Sequence, residues 1–98
     1  MKVYWSDHAK RELRAIHDYI AQNSRRYAQG VVDRITQKTK LLKKFPLLGA
    51  EVPEYEDASI RELLEYPYRI IYRVREERID VVSVVHGARQ LPPQAPGS

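Results

Sequence analysis

Apolar and polar residues change their period several times along this 98-residue chain. Val3 and Trp5 alternate with Lys2 and Tyr4, the period of a short strand, and Ser6 follows as a good helix N-cap. From residue 7 to about 22, Ala9, Leu13, Ile16 and Ile20 fall four, three and four apart, while Lys10, Arg11, Glu12, Arg14 and Asp18 take the polar face. This predicts a helix that buries one side. Asn23-Ser24 offers a break and a second N-cap; Ala28, Val31, Val32, Ile35, Leu42 and Phe45 then continue a helical period until Pro46 stops it. The two helices are expected to form an antiparallel hairpin.

Residues 46–57 lack a regular period, are bracketed by Pro46 and Pro53, and end acidic, as expected of a connection. Three strands follow, near Ser59 to Glu65, Tyr68 to Arg75 and Arg78 to His86. Tyr66-Pro67 and Glu76-Glu77 are turns too short for anything but antiparallel hairpins. The predicted fold class is α+β in the order β-α-α-β-β-β, with the helix hairpin packed on one face of a small, mainly antiparallel four-stranded sheet. Residues 1–90 are expected to form one domain and residues 91–98, with three prolines, a flexible tail. Gly30, inside the second helix, predicts a close helix contact, because glycine there costs about 1 kcal/mol relative to alanine.

Period-two alternation places Tyr68, Ile70, Tyr72 and Val74 on the core side and Arg69, Ile71, Arg73 and Arg75 on the other. A short turn at Glu76-Glu77 then sets Tyr72 against Val81, Val74 against Ile79 and Arg73 against Asp80. The same register pairs Ile70 with Ser83, Ile71 with Val82 and Arg69 with Val84, which makes Arg69 and His86 neighbours unless a one-residue bulge intervenes. Arg61 can face either side. Ile71, Val82 and Val84 become an apolar strip among arginines, which marks a partner surface or a strip covered by the tail through Leu91.

Charge then narrows the partners. Seventeen Lys and Arg against thirteen Asp and Glu give a net charge of +4, which favours an acidic protein segment or nucleic acid. Lys38, Lys40, Lys43 and Lys44 complement the C-terminal end of the second helix dipole. The absence of cysteine excludes disulfides, thiol nucleophiles and cysteine metal centres. His8, His17 and His86 lack metal-ligand spacing, and no phosphate-cradling or nucleophile-elbow motif occurs, so no metal and no cofactor are expected. With no long apolar run, the chain is expected to be cytoplasmic and to avoid membranes.

Arg61, Arg69, Arg73, Arg89 and His86 are the residue types that metal-independent RNA cleavage uses, cations for phosphate charge and a histidine for proton transfer. The bland reading is solvated strand arginines and a histidine that anchors the strand end.

Trp5-Ser6, Ile16-x-x-Tyr19-Ile20-Ala21, Pro46-x-x-Gly49, Arg61-x-Leu63, Tyr68 to Val74, Ile79 and His86-x-x-Arg89-Gln90-Leu91-Pro92 together resemble the RelE/ParE superfamily of bacterial type II toxins, over residues 3 to 92. The resemblance implies a plasmid-stabilisation type of toxin held by a cognate antitoxin, whose complex can bind operator DNA through the antitoxin. RelE-like members cleave mRNA on the ribosome, and ParE-like members poison DNA gyrase. Arg69 and Arg89 match RelE positions, and Arg61 stands for one of a basic pair. Glu62 replaces the other, and the C-terminal tyrosine is missing. The closer likeness is to the ParE-like branch. On the ribonuclease alternative, whose acid-base set is incomplete here, the catalytic candidates are Arg69, His86, Arg89 and Arg61; on either reading target or antitoxin contacts are expected at Arg61, Arg69, Ile71, Arg73, Val82, Val84 and Arg89.

Overall fold

The computed structural model describes residues 1–97, so Ser98 at the end of the expected tail lies outside the described residues. The elements are β1 (Lys2–Trp5), α1 (Asp7–Ala21), α2 (Arg25–Lys40), β2 (Ala50–Glu51), β3 (Ile60–Glu65), β4 (Tyr68–Val74) and β5 (Arg78–His86). Both expected caps form. Ser6 Oγ accepts from Ala9 N at 3.0 Å and Ser24 Oγ accepts from Tyr27 N at 3.0 Å, each satisfying a donor with no intrahelical partner. The helical run after Lys40 tightens into a single 3-10 turn, Leu41–Lys43, so α2 stops short of Phe45.

The sheet has five strands, not four, in the order β1-β5-β4-β3-β2. The additional strand is the two-residue β2, which pairs antiparallel with β3 inside the connection expected to be irregular. Two residues are too few for a period to register. β1 lies parallel to β5 and the remaining pairs are antiparallel.

Both faces of the sheet are covered. On the helix side, Ala9, Val31, Ile35 and Leu42 pack with Leu63, Ile70, Tyr72, Ile79, Val81 and Val84, and Leu13, Ile16 and Ile20 of the predicted stripe join them. On the other side, Val52, Tyr55 and Ile60 meet Ile71, Val82 and Val85 together with Leu91 and Ala95. The tail therefore covers the apolar strip, held in part by Tyr55 OH donating to Pro92 O at 2.9 Å. Burial on two faces explains why β5 reads as a nearly continuous valine run.

The β4–β5 register holds at Tyr72↔Val81, Arg73↔Asp80 and Val74↔Ile79 and then slips by one. Beyond the bulge Ile71 pairs with Ser83, Ile70 with Val84, Arg69 with Val85 and Tyr68 with His86. Val84 thus enters the helix-side core instead of the expected strip, where Val85 takes its place. Arg69 and His86 are not paired neighbours. Gly30 also departs from expectation, since a Cβ there would meet only the flexible Arg34 Nη1 at 3.4 Å. The close approach occurs at Gly49, where a Cβ would lie 2.3 Å from Glu62 O and 2.9 Å from Tyr72 Cε1. No helix among the described residues is long and apolar enough to cross a membrane.

Candidate functional site

The arginines expected to converge are distributed over three places. Arg61 pairs across the ladder with Tyr72 and so shares the helix-facing side with Leu63. Its guanidinium donates to Gly49 O at 2.9 Å and Ala58 O at 3.3 Å, which fixes the loop before β3. Arg69, Ile71, Arg73 and Val82 belong to the opposite, loop-covered face. His86 and Arg89 lie at and just beyond the end of β5.

On the covered face Arg69 is clamped. Its Nη1 and Nη2 donate to the two oxygens of Glu54 at 2.7 and 2.9 Å, and its Nε and Nη2 to those of Glu62 at 2.7 and 3.1 Å. Only 12% of the Arg69 side chain is exposed. Two bidentate carboxylates satisfy the planar fork in the manner a phosphate would. The hydrogen bonds Arg69 donates to Glu54 first and to Glu62 second raise its pKa above the ordinary value, and the same bond holds the Glu54 carboxyl below its own. Arg73 Nη1 reaches Asp57 Oδ2 and Ser59 Oγ, each at 3.4 Å. The acidic connection thus neutralises the basic face with the chain's own carboxylates.

At the end of β5 the chemistry differs. His86 is exposed, its Nδ1 accepts from Ala88 N at 3.1 Å, and its ring meets Tyr68 edge to face at 6.0 Å. A neutral imidazole accepting at Nδ1 carries its proton on Nε2, so the nitrogen left for solvent is a donor and not a base. Gly87 N donates to Pro67 O at 2.7 Å, tying the β3–β4 turn to the chain as it leaves the sheet. Arg89 is exposed, and its guanidinium has no hydrogen-bond or ion-pair partner among the described residues. Tyr68 is half-buried, and its phenol is pushed up chiefly by burial and further by Tyr27 and Tyr19 nearby.

Glu12 is the residue that pattern reading missed. Its Oε1 accepts from Ser83 Oγ at 2.7 Å and Val84 N at 3.0 Å, satisfying a buried hydroxyl and an amide at the bulge, and His8 Nε2 lies 3.2 Å away. A signal was present: Glu12 stands three residues after Ala9 and four before Ile16, on the stripe that should be apolar. Glu54 and Glu62 gave a weaker signal, since pairing with Arg69 required the β3 register. No group of three or more His, Cys, Asp or Glu among the described residues could hold a metal ion.

Comparison with known proteins agrees with this architecture. Residues 3–91 match the family described as ParE toxin of type II toxin-antitoxin system, parDE. A curated relative, Toxin RelE2 of Caulobacter vibrioides, is 34% identical over 89 residues, covering 90% of this chain and 97% of its own. A solved structure described as the chromosomal ParDE TA system from P. aeruginosa superimposes with a TM-score of 0.73 at 28% identity, covering 88% of this chain and 95% of that one. The chain belongs to the ParE toxin family of type II toxin-antitoxin systems.

Proposed function

We propose that the protein inhibits growth in the cytoplasm by binding an essential target, with DNA gyrase the candidate, and that a cognate antitoxin neutralises it. The observation that carries this reading is the Arg69 clamp. An arginine with both faces of its fork on Glu54 and Glu62 is a structural residue, withdrawn from phosphate chemistry. The orientation of Arg61 toward backbone carbonyls and the donor-only Nε2 of His86 support it further. The similarity to a ParDE structure supports the antitoxin as partner.

The alternative is a RelE-like, ribosome-dependent mRNA endoribonuclease, and what favours it is the accessibility of His86 and Arg89 together at one end of the sheet. Inducing the toxin without antitoxin separates the two. Gyrase poisoning produces a DNA damage response and filamentation before protein synthesis falls, and purified toxin then inhibits supercoiling. Early loss of translation with cleavage of mRNA on the ribosome would select the endoribonuclease instead.

A further inference from the structure

Apart from the open groove that Glu12 and Arg89 line between α1 and the C-terminal end of β5, a second surface stands uncovered where the chain leaves α2. Leu41 is 48% exposed, Phe45 56%, Leu47 64% and Leu48 50%, a run of large apolar side chains left to water. Backbone hydrogen bonds gather them. Phe45 N donates to Leu41 O at 2.9 Å and Leu48 N to Phe45 O at 3.1 Å, so Phe45 stands one turn from each of these leucines. The knuckle is anchored from below, because Leu42 is fully buried and Tyr72 OH donates to Pro46 O at 3.0 Å and accepts from Gly49 N at 2.9 Å. The Met1 amino group adds a donor to Lys43 O at 2.8 Å. Apolar surface held rigid in this way suits recognition, since covering it removes apolar area from water with little conformational freedom left to lose.

Charge selects what covers it. No acidic residue occurs from Arg34 to Ala50. Arg34 and Lys38 are turned to Glu65, whereas Lys40, Lys43 and Lys44 are exposed and their ammonium groups have no partner among the described residues. The α2 dipole accounts for Lys38 and Lys40 in its last turn; Lys43 and Lys44 lie beyond it. A second copy of the chain would bring the same lysines against one another. Single-stranded nucleic acid would meet the lysines but find an aromatic face to stack on at Phe45 and none at the leucines. An acidic protein surface with an apolar cleft satisfies both the cations and the leucines.

We propose that the knuckle from Leu41 to Leu48 is the toxin's contact with its target, and that the surface it meets belongs to a protein, an apolar cleft rimmed by carboxylates. The proposal rests on the reading of the protein as a gyrase-directed growth inhibitor, and it assigns the part of the chain that engages. Purified full-length toxin is titrated into the supercoiling reaction of the gyrase holoenzyme, and growth is followed after induction without antitoxin. Phe45→Ser and the double substitution Lys43→Glu/Lys44→Glu are each expected to raise the half-inhibitory concentration at least about tenfold, the scale of a hot-spot contact, and to relieve growth arrest. Arg25→Glu/Arg26→Glu, the same change of charge at exposed positions at the start of α2, is expected to stay within about twofold. Because the substituted side chains are exposed, all three variants should melt like wild type and keep wild-type affinity for the antitoxin.

Full inhibition by both knuckle variants overturns the assignment of the knuckle alone. Wild-type toxin that arrests growth without inhibiting supercoiling overturns the gyrase reading; the knuckle then stands if its variants lose the arrest while mRNA stays intact in the wild-type culture, and falls if mRNA is cleaved or the arrest persists. Wild-type toxin that neither arrests growth nor inhibits supercoiling overturns both. Loss of antitoxin affinity in the knuckle variants at an unchanged melting temperature also overturns the assignment and gives the surface to the antitoxin.

Discussion

Arg69 and Arg89 are the same residue type near the same end of the sheet, yet they are in opposite states. Arg69 lies under the 52–60 connection with two carboxylates on its fork, whereas the Arg89 guanidinium stands in an open groove with no partner among the described residues. Around Arg69 the surface is closed by its own acidic residues, Glu54, Asp57 and Glu62, and by Leu91 and Ala95. Around Arg89 the carboxylate that lines the groove among the described residues, Glu12, is turned into the fold. A buried, paired arginine holds structure, because removing it leaves carboxylates without a partner; an exposed, unpaired one is available for recognition at little cost to the fold.

The comparison is broken most severely at Gly49. Its carbonyl accepts from Arg61 and its amide donates to Tyr72 OH, and a Cβ would collide with the Glu62 backbone. Gly49→Ala is expected to destabilise the closed region by about 3 kcal/mol, read as a lower urea midpoint at unchanged slope. Arg69→Ala leaves Glu62, with 12% of its side chain exposed, beside Glu54, and should cost about 2 kcal/mol in the same measurement. A neutral result at Arg69 would remove the distinction drawn between the two arginines.

Glu12→Ala tests whether the open groove owes its shape to the bulge. Loss of the acceptor for Ser83 Oγ and Val84 N is expected to cost about 1–2 kcal/mol and to speed hydrogen exchange at Val84, while Glu12→Gln, which keeps an acceptor, costs less. The pH dependence is smaller. The carboxyls of Glu54 and Asp57 titrate below their ordinary values, Glu54 through its Arg69 hydrogen bond and Asp57 through Ser59. A lowered folded-state value means the unfolded chain takes up the proton first. Their stabilisation is therefore complete above the ordinary carboxylate range and lost as pH falls through the lower folded values, so the melting temperature should drop as the pH is taken below that ordinary range. Glu54→Gln should flatten part of that drop.

Arg89→Ala is expected to change stability by less than about 0.5 kcal/mol while impairing toxicity or partner binding. His86→Ala should be slightly destabilising, through loss of the Ala88 hydrogen bond and the Tyr68 contact, and should leave toxicity in place. Complete loss of toxicity in a folded His86→Ala protein would bring the endoribonuclease reading forward.

Local signals in the sequence determined a great deal. The caps Ser6 and Ser24, the stripe from Ala9 to Ile20, and the two short turns between β3, β4 and β5 each depend on neighbours within a few residues, and each is where the pattern placed it. Alternation along β4 likewise separated Ile70 and Tyr72 from Arg69 and Ile71. Tertiary structure alone decided the rest. A bulge in β5 moves every side chain beyond it to the other face, and it is held by Glu12, 71 residues away from Ser83 in the chain. The strip that resembled a partner surface is covered by a tail whose destination no period encodes. Whether Arg69 or Arg89 is free depends on which carboxylates the folded backbone carries to each, and that is a property of distant segments brought together.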